Sequence, residues 1–236
     1  MESLATTSAV MGEVQDPCGL IWGTVPQFGL TQQASFVEET DQWSLQNDEG
    51  SSMAKVRICL DPGHGGADPG AVRGDLTEAS ITLDLAHRAR KLLVPKYSVI
   101  LTRDEDETVA LTRRVQIANE EDVDLFTSIH VNSAGSASSA GYEVFVRMNP
   151  HAPSLLLASA LLVQFSKRWP EKPNRGVKPA NFLVVRQRRP ACLVECFFIS
   201  NPSDRILLTS PTGRAKIAEA IAWGCGNFIR ASEDTL

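Results

Sequence analysis

From Lys55 onward, short apolar runs alternate with longer stretches in which apolar residues recur every three or four positions. The first kind predicts strands and the second predicts amphipathic helices. "VRICLD", "YSVILT", "DLFTSIHV", "GYEVFVR", "NFLVV" and "ACLVECF" read as strands. "TEASITLDLAHRARKLL" gathers Ile81, Leu85, Ala89, Leu92 and Leu93 on one helical face, with Thr77 placed to cap its start and Pro95 to end it. "LTRRVQIANEE", "APSLLLASALLVQFSKRW" and "SPTGRAKIAEAIAWGCGNFIR" read as three more helices. Such alternation predicts an α/β fold, a single layered domain with a mixed, largely parallel sheet flanked by helices. Sites in sheets of this kind collect at the carboxyl ends of strands.

Residues 1–52 follow another pattern. They are rich in Gln, Thr, Gly and acids, with weak periodicity, and residues 1–50 hold eight acids and no Lys or Arg. The net charge of −5 therefore conceals a remainder with 20 acids against 23 bases, a net of +3. We read 1–52 as an acidic, linker-like N-terminal extension and 53–236 as the main folded domain, with Met53 an internal start or an old junction. No signal peptide is visible, which predicts synthesis in the cytoplasm and action elsewhere only after release. The longest apolar run, near Leu155–Val163, is too short for a membrane span. Five cysteines without framework spacing point to reduced thiols, and Cys192 and Cys196 to a buried strand rather than a metal site.

Four polar residues change the picture. His64 follows the first strand in "CLDPGHGG", Glu78 opens the first helix, His130 ends "DLFTSIHV", and Glu195 interrupts the apolar strand "ACLVECF". The strand assignments bring all four to one rim. Two histidines and one glutamate suit a catalytic zinc, and a second glutamate suits the general base of hydrolysis. Each has a plainer reading: a first-turn acid for Glu78, a core histidine for His130, a turn residue for His64. Glu195 resists one, because an acid among Val194 and Cys196 must find a partner or stay protonated. His87, in mid-helix, His151, in a turn, and Asp84, farther along the helix, are weaker candidates.

Other chemistries fail. "GHGGADPG" lacks the last glycine of a dinucleotide loop and no P-loop lysine follows it. The serines of "GSASSAG" form no nucleophile elbow, and a net of +3 is not the footprint of a nucleic-acid binder.

The blocks "ICLDPGHGGADPGAV", "LTEASITLDLAHRARKLL", "DLFTSIHVNSA", "RGVKPANFLVVR" and "LVECFFISNPSDRILL" resemble, in order, the zinc-dependent N-acetylmuramoyl-L-alanine amidases of the amidase-3 family, over about residues 55 to 230. The resemblance implies His64, Glu78 and His130 as ligands of one Zn2+ and Glu195 as catalytic base. It gives Asn132 a part in binding substrate, and peptidoglycan as that substrate. Phe197 departs from the family's usual Gly, implying a bulky ring in the cleft wall. Between Val131 and Arg175 the chain holds one loop, one strand and one helix, so the resemblance implies no inserted helix blocking the zinc. A phage or prophage lysin and a bacterial autolysin both fit. Two rivals are another zinc peptidase acting on stem peptides and a catalytically inactive wall-binding or virion module.

Overall fold

A computed structural model describes residues 55–233. The acidic extension and the Met53 start lie outside the described residues. The elements run β1 (Arg57–Pro62), a small hairpin of β2 (Val72–Arg73) and β3 (Leu76–Thr77), α1 (Glu78–Leu93), β4 (Ser98–Leu101), α2 (Leu111–Glu120), β5 (Leu125–Asn132) and β6 (Tyr142–Arg147). They continue through α3 (Ala152–Arg168), β7 (Asn174–Ala180), a 3-10 turn (Leu183–Val185), β8 (Ala191–Phe198), α4 (Pro202–Thr209) and α5 (Pro211–Glu233). Six strands form one sheet in the order β4-β1-β5-β8-β6-β7. The first four are parallel; β6 runs antiparallel to β8, and β7 follows β6. The mixed, largely parallel sheet is thus as expected. No helix among the described residues is long and apolar enough to cross a membrane.

Alternate strand residues enter different layers. Leu60, Ile129, Val194 and Val144 join the larger core with α1, α3 and α5. Cys59, Phe126 and Leu193 point to the other face, where a smaller cluster includes Ala118 of α2 and Val184 and Val185 of the 3-10 turn. Continuing that second alternation toward the strand ends places Asp61, Ser128, His130, Glu143 and Glu195 on the thinly covered face. Two-residue periodicity within strands thus selects which side chains reach the site.

Three elements differ from the sequence reading. "NFLVV" is not a strand: it ends in the 3-10 turn, whose Val184 and Val185 fill the smaller cluster. The strand lies just before it, in "NRGVKPA" at the sheet edge, where Gly176 (φ 81°) and Pro179 are tolerated because one side has no partner strand among the described residues. Helix α4 was not anticipated; Asn201 caps it by accepting hydrogen bonds from Ser203 and Asp204 N–H groups. The predicted cap at Thr77 is present, accepting from Ser80 N–H at 3.3 Å. Between β5 and β7 lie one loop, β6 and α3, with no further helix.

Phe197 also needs correction. Its ring lies in the core, not the cleft wall: it is fully buried, 5.0 Å from Trp169, 5.8 Å from Tyr142 and 5.9 Å from Phe165, centroid to centroid. The backbone explains the inversion. Between His130↔Glu195 and Asn132↔Phe198 the ladder accommodates one extra residue on β8, and Phe197 adopts φ 72° there. Left-handed backbone disfavours a Cβ by about 1–2 kcal/mol, and aromatic burial offsets that strain. Phe197→Ala and Phe197→Gly should each cost roughly 3–5 kcal/mol. The glycine variant should nevertheless be the more stable of the two by about 1 kcal/mol, read from urea midpoints. Equal stability would remove the strain from the account.

Candidate active site

The β1–α1 loop carries His64 over the strand ends, and two buried arginines hold it there. Arg103 donates from Nε to the Pro62 carbonyl (3.0 Å) and from Nη2 to those of Gly63 (3.0 Å) and Ala79 (2.8 Å). Arg114 donates to the Pro62 carbonyl (2.6 Å) and the His64 carbonyl (2.7 Å). Three successive carbonyls are thereby fixed, although His64 itself has φ 60°. Arg114 is in turn paired with Asp61, 1% exposed, at 2.7 Å, and Asp61 also accepts from the Thr102 and Ser128 hydroxyls. Neither arginine's part was foreseen.

Glu78 sits at the start of α1, where the helix dipole favours a carboxylate. Its Oε1 accepts from Val131 N–H at 2.9 Å and lies 2.9 Å from His130 Nδ1. Its Oε2 accepts from Ala71 N–H and lies 3.2 Å from His64 Nε2. Burial alone would raise the Glu78 pKa; its hydrogen bonds with His130 and His64 and their charge hold it well below the usual carboxylate range. His64 shows the converse balance: burial opposes protonation, but Glu78 and Asp68 together raise its pKa. Asp68 Oδ2 lies 2.8 Å from His64 Nδ1, a second carboxylate orienting the ring. The signal for Asp68 was its place four residues after the histidine.

The glycines nearby are required by proximity. A Cβ on Gly63 would lie 2.4 Å from the His130 ring, and one on Gly70 would lie 2.7 Å from both Glu78 Oε2 and His64 Cδ2. One ligand atom from each of His64, Glu78 and His130 lies within 4.8 Å of the others, close enough for a single cation to bind all three. No fourth His, Cys, Asp or Glu joins the group among the described residues. Two imidazoles and one carboxylate fit a zinc-type ion better than calcium or magnesium, which favour oxygen ligands.

Glu195 is the register partner of His130 on one side and of Glu143 on the other. Its Oε2 is buried without a hydrogen-bond partner among the described residues. Burial, followed by the charges of Glu78 and Glu143, raises its pKa well above the usual range. Asn132 donates from Nδ2 to Glu143 Oε1 at 2.6 Å. Glu143 was missed, although an acid inside "GYEVFV" is the same anomaly as Glu195 in its own strand. The weaker candidates lie elsewhere: Asp84 accepts from Arg88 and Arg214, His87 pairs with Asp104, and His151 caps α3.

Fold and site together describe an α/β domain with a His–Glu–His donor set close enough to hold one cation, beside a buried, unpartnered carboxylate oxygen. Residues 58–227 match the amidase-3 family, N-acetylmuramoyl-L-alanine amidase, and the chain belongs to that family. It is 36% identical over 183 residues to the N-acetylmuramoyl-L-alanine amidase CwlM of Bacillus licheniformis, covering 76% of this chain and 71% of that one. It is 39% identical over 153 residues to the sporulation-specific N-acetylmuramoyl-L-alanine amidase of Bacillus subtilis, covering 63% of this chain but 58% of that longer protein. The solved catalytic domain of CwlV, an N-acetylmuramoyl-L-alanine amidase from Bacillus (Paenibacillus) polymyxa, superposes with a TM-score of 0.70 at 30% identity. That match covers 74% of this chain and 98% of the solved domain.

Removing the Arg114 charge should test the loop clamp. Arg114→Met strands the buried Asp61 carboxylate and should cost roughly 3–5 kcal/mol. Asp61→Asn in the same chain should recover part of that loss in chemical denaturation. Absence of any recovery would show that Arg114 acts through its carbonyl contacts alone.

Proposed function

We propose that the chain is a zinc-dependent amidase. It hydrolyses the amide between the lactyl group of N-acetylmuramic acid and L-alanine in peptidoglycan. The observation that carries this reading is the unpartnered buried oxygen of Glu195, on the strand position beside His130. A structural acid in a sheet finds a cation or a donor, as Glu143 does; an acid left bare beside a cation-binding trio is placed to handle a proton. Family membership and the names of the relatives support the bond that is cut.

His64, Glu78 and His130 would hold the ion, with Asp68 orienting His64 and the Val131 and Ala71 N–H groups orienting Glu78. When bound, zinc supplies a Lewis acid for the scissile carbonyl and acidifies water at neutral pH. Glu195 takes the proton of the attacking water on a carboxylate oxygen and returns it to the departing alanine nitrogen. Its raised pKa suits both halves of that transfer, since a weaker acid is a stronger base. Asn132 steadies Glu143 and borders the path of the substrate. We place the enzyme's action at the cell wall, after release from the cell that makes it.

Glu195→Gln should retain zinc by elemental analysis while losing about 10²–10⁴-fold in turnover. His64→Ala and His130→Ala should lose metal and activity together, and a chelator should abolish activity that added zinc restores. On purified sacculi the products should be intact stem peptides with a new N-terminal L-alanine. Release of shorter peptides or single amino acids would identify a stem-peptide peptidase instead. Substantial activity in Glu195→Gln would remove Glu195 as the base.

A further inference from the structure

The row His130–Glu195–Glu143 continues one strand farther. Tyr142 pairs with Asn174 and Val144 with Val177, so the irregular stretch Arg175–Gly176 of β7 lies opposite Glu143. Glu143 is 3% exposed, and a single oxygen of it, Oε2, accepts from two cations, Arg175 Nε at 2.9 Å and Lys178 Nζ. Its other oxygen is taken by Asn132. One lysine would neutralise this acid. The two cations here leave an excess positive charge, and their side chains are 35% and 39% exposed.

Aromatic rings fix where those charges sit. The Arg175 guanidinium lies 5.0 Å from the Phe198 ring centroid, and the Lys178 ammonium lies 6.0 Å from that of Phe145. Only Nε of Arg175 is engaged by Glu143, and its two terminal nitrogens meet no partner among the described residues. A partly exposed guanidinium fork, held by a buried acid and seated on a ring, suits a planar anion.

The geometry points to Arg175 and Lys178 as a subsite for a free carboxylate of the stem peptide, which determines which peptidoglycans are cut. This rests on the amidase reading above. Two strand spacings separate Glu195 from Arg175, about 10 Å, and two residues of extended peptide reach about 7 Å. The first free carboxylate beyond the scissile amide belongs to the second stem residue, where a γ-linked D-glutamate leaves its α-carboxylate unbonded. Both cationic heads reach back to Glu143, one strand spacing from Glu195, and this brings them within the peptide's reach. When that carboxylate is converted to an amide, as in isoglutamine stems, the charge that Arg175 and Lys178 would recognise is gone.

The full-length protein can be titrated by calorimetry with two probes, L-alanyl-γ-D-glutamyl-L-alaninamide, whose one carboxylate is the glutamate α-carboxylate, and its isoglutamine counterpart, which has none. Kd should be at least about tenfold lower for the carboxylate form. Arg175→Gln, with Lys178 left to neutralise Glu143, should erase most of that difference, while Arg175→Lys keeps part of it; thermal melts establish that both variants fold. The same ratio should appear in kcat/KM for muropeptides carrying either stem. Equal binding of both probes by the natural chain, or equal weakening of both by Arg175→Gln, overturns the subsite. Selective binding with no cleavage of either muropeptide leaves the subsite standing and overturns the amidase reading.

Discussion

The site depends on two buried guanidinium groups closing on three consecutive backbone carbonyls. Residues 62–64 turn sharply off the end of β1, and His64 adopts a backbone conformation that favours glycine. Left to itself, such a turn samples many shapes. Arg103 and Arg114 remove that freedom by satisfying the Pro62, Gly63 and His64 oxygens together. Arg103 also grips the Ala79 carbonyl, so the loop bearing His64 and the helix bearing Glu78 are tied to one rigid plane. Desolvating two cations is costly, and here the carbonyls and Asp61 return enough interaction to make the arrangement stable.

Against that frame, three glutamates on neighbouring elements acquire different characters. Glu78 is surrounded by two imidazoles and two backbone N–H groups and stays ionised. Glu143 is neutralised from the next strand. Glu195, between His130 and Glu143 in the sheet, has neither remedy, and burial with the two neighbouring charges raises its pKa. Identical chemistry at the ends of α1, β6 and β8 thus divides into an ionised, a cation-paired and an unpartnered carboxylate according to what each touches.

Much of this was legible in the sequence. The strands declared themselves as short apolar runs and the long helices by one apolar face, and the rim followed from where those strands end. His64, His130 and Glu195 were visible as polar residues at such ends, and Glu78 at the start of the first helix. Arg103 and Arg114 stayed hidden because they have no local signature. Arg113 and Arg114 are adjacent in "LTRR", yet one pairs with Glu120 at the surface and the other is 3% exposed against Asp61. Only tertiary packing separates them. Strand β7 escaped notice because "NRGVKPA" lacks apolar alternation; its extended state is imposed by hydrogen bonding to β6. Phe197 was misplaced because a ring in a position usually held by glycine suggests crowding of the cleft. The bulge instead turns it through the sheet.

That ring couples two layers of the molecule. Glu195 stands two residues before Phe197, on a segment whose spontaneous tendency is to relax out of its left-handed bend. Resistance to that relaxation comes from Tyr142, Phe165 and Trp169, in the larger core on the side of the sheet away from His130 and Glu195. The aim of Glu195 is therefore set from behind. Loosening any member of this quartet would register at the rim as misdirection of a carboxylate, with every other residue of the rim unaltered.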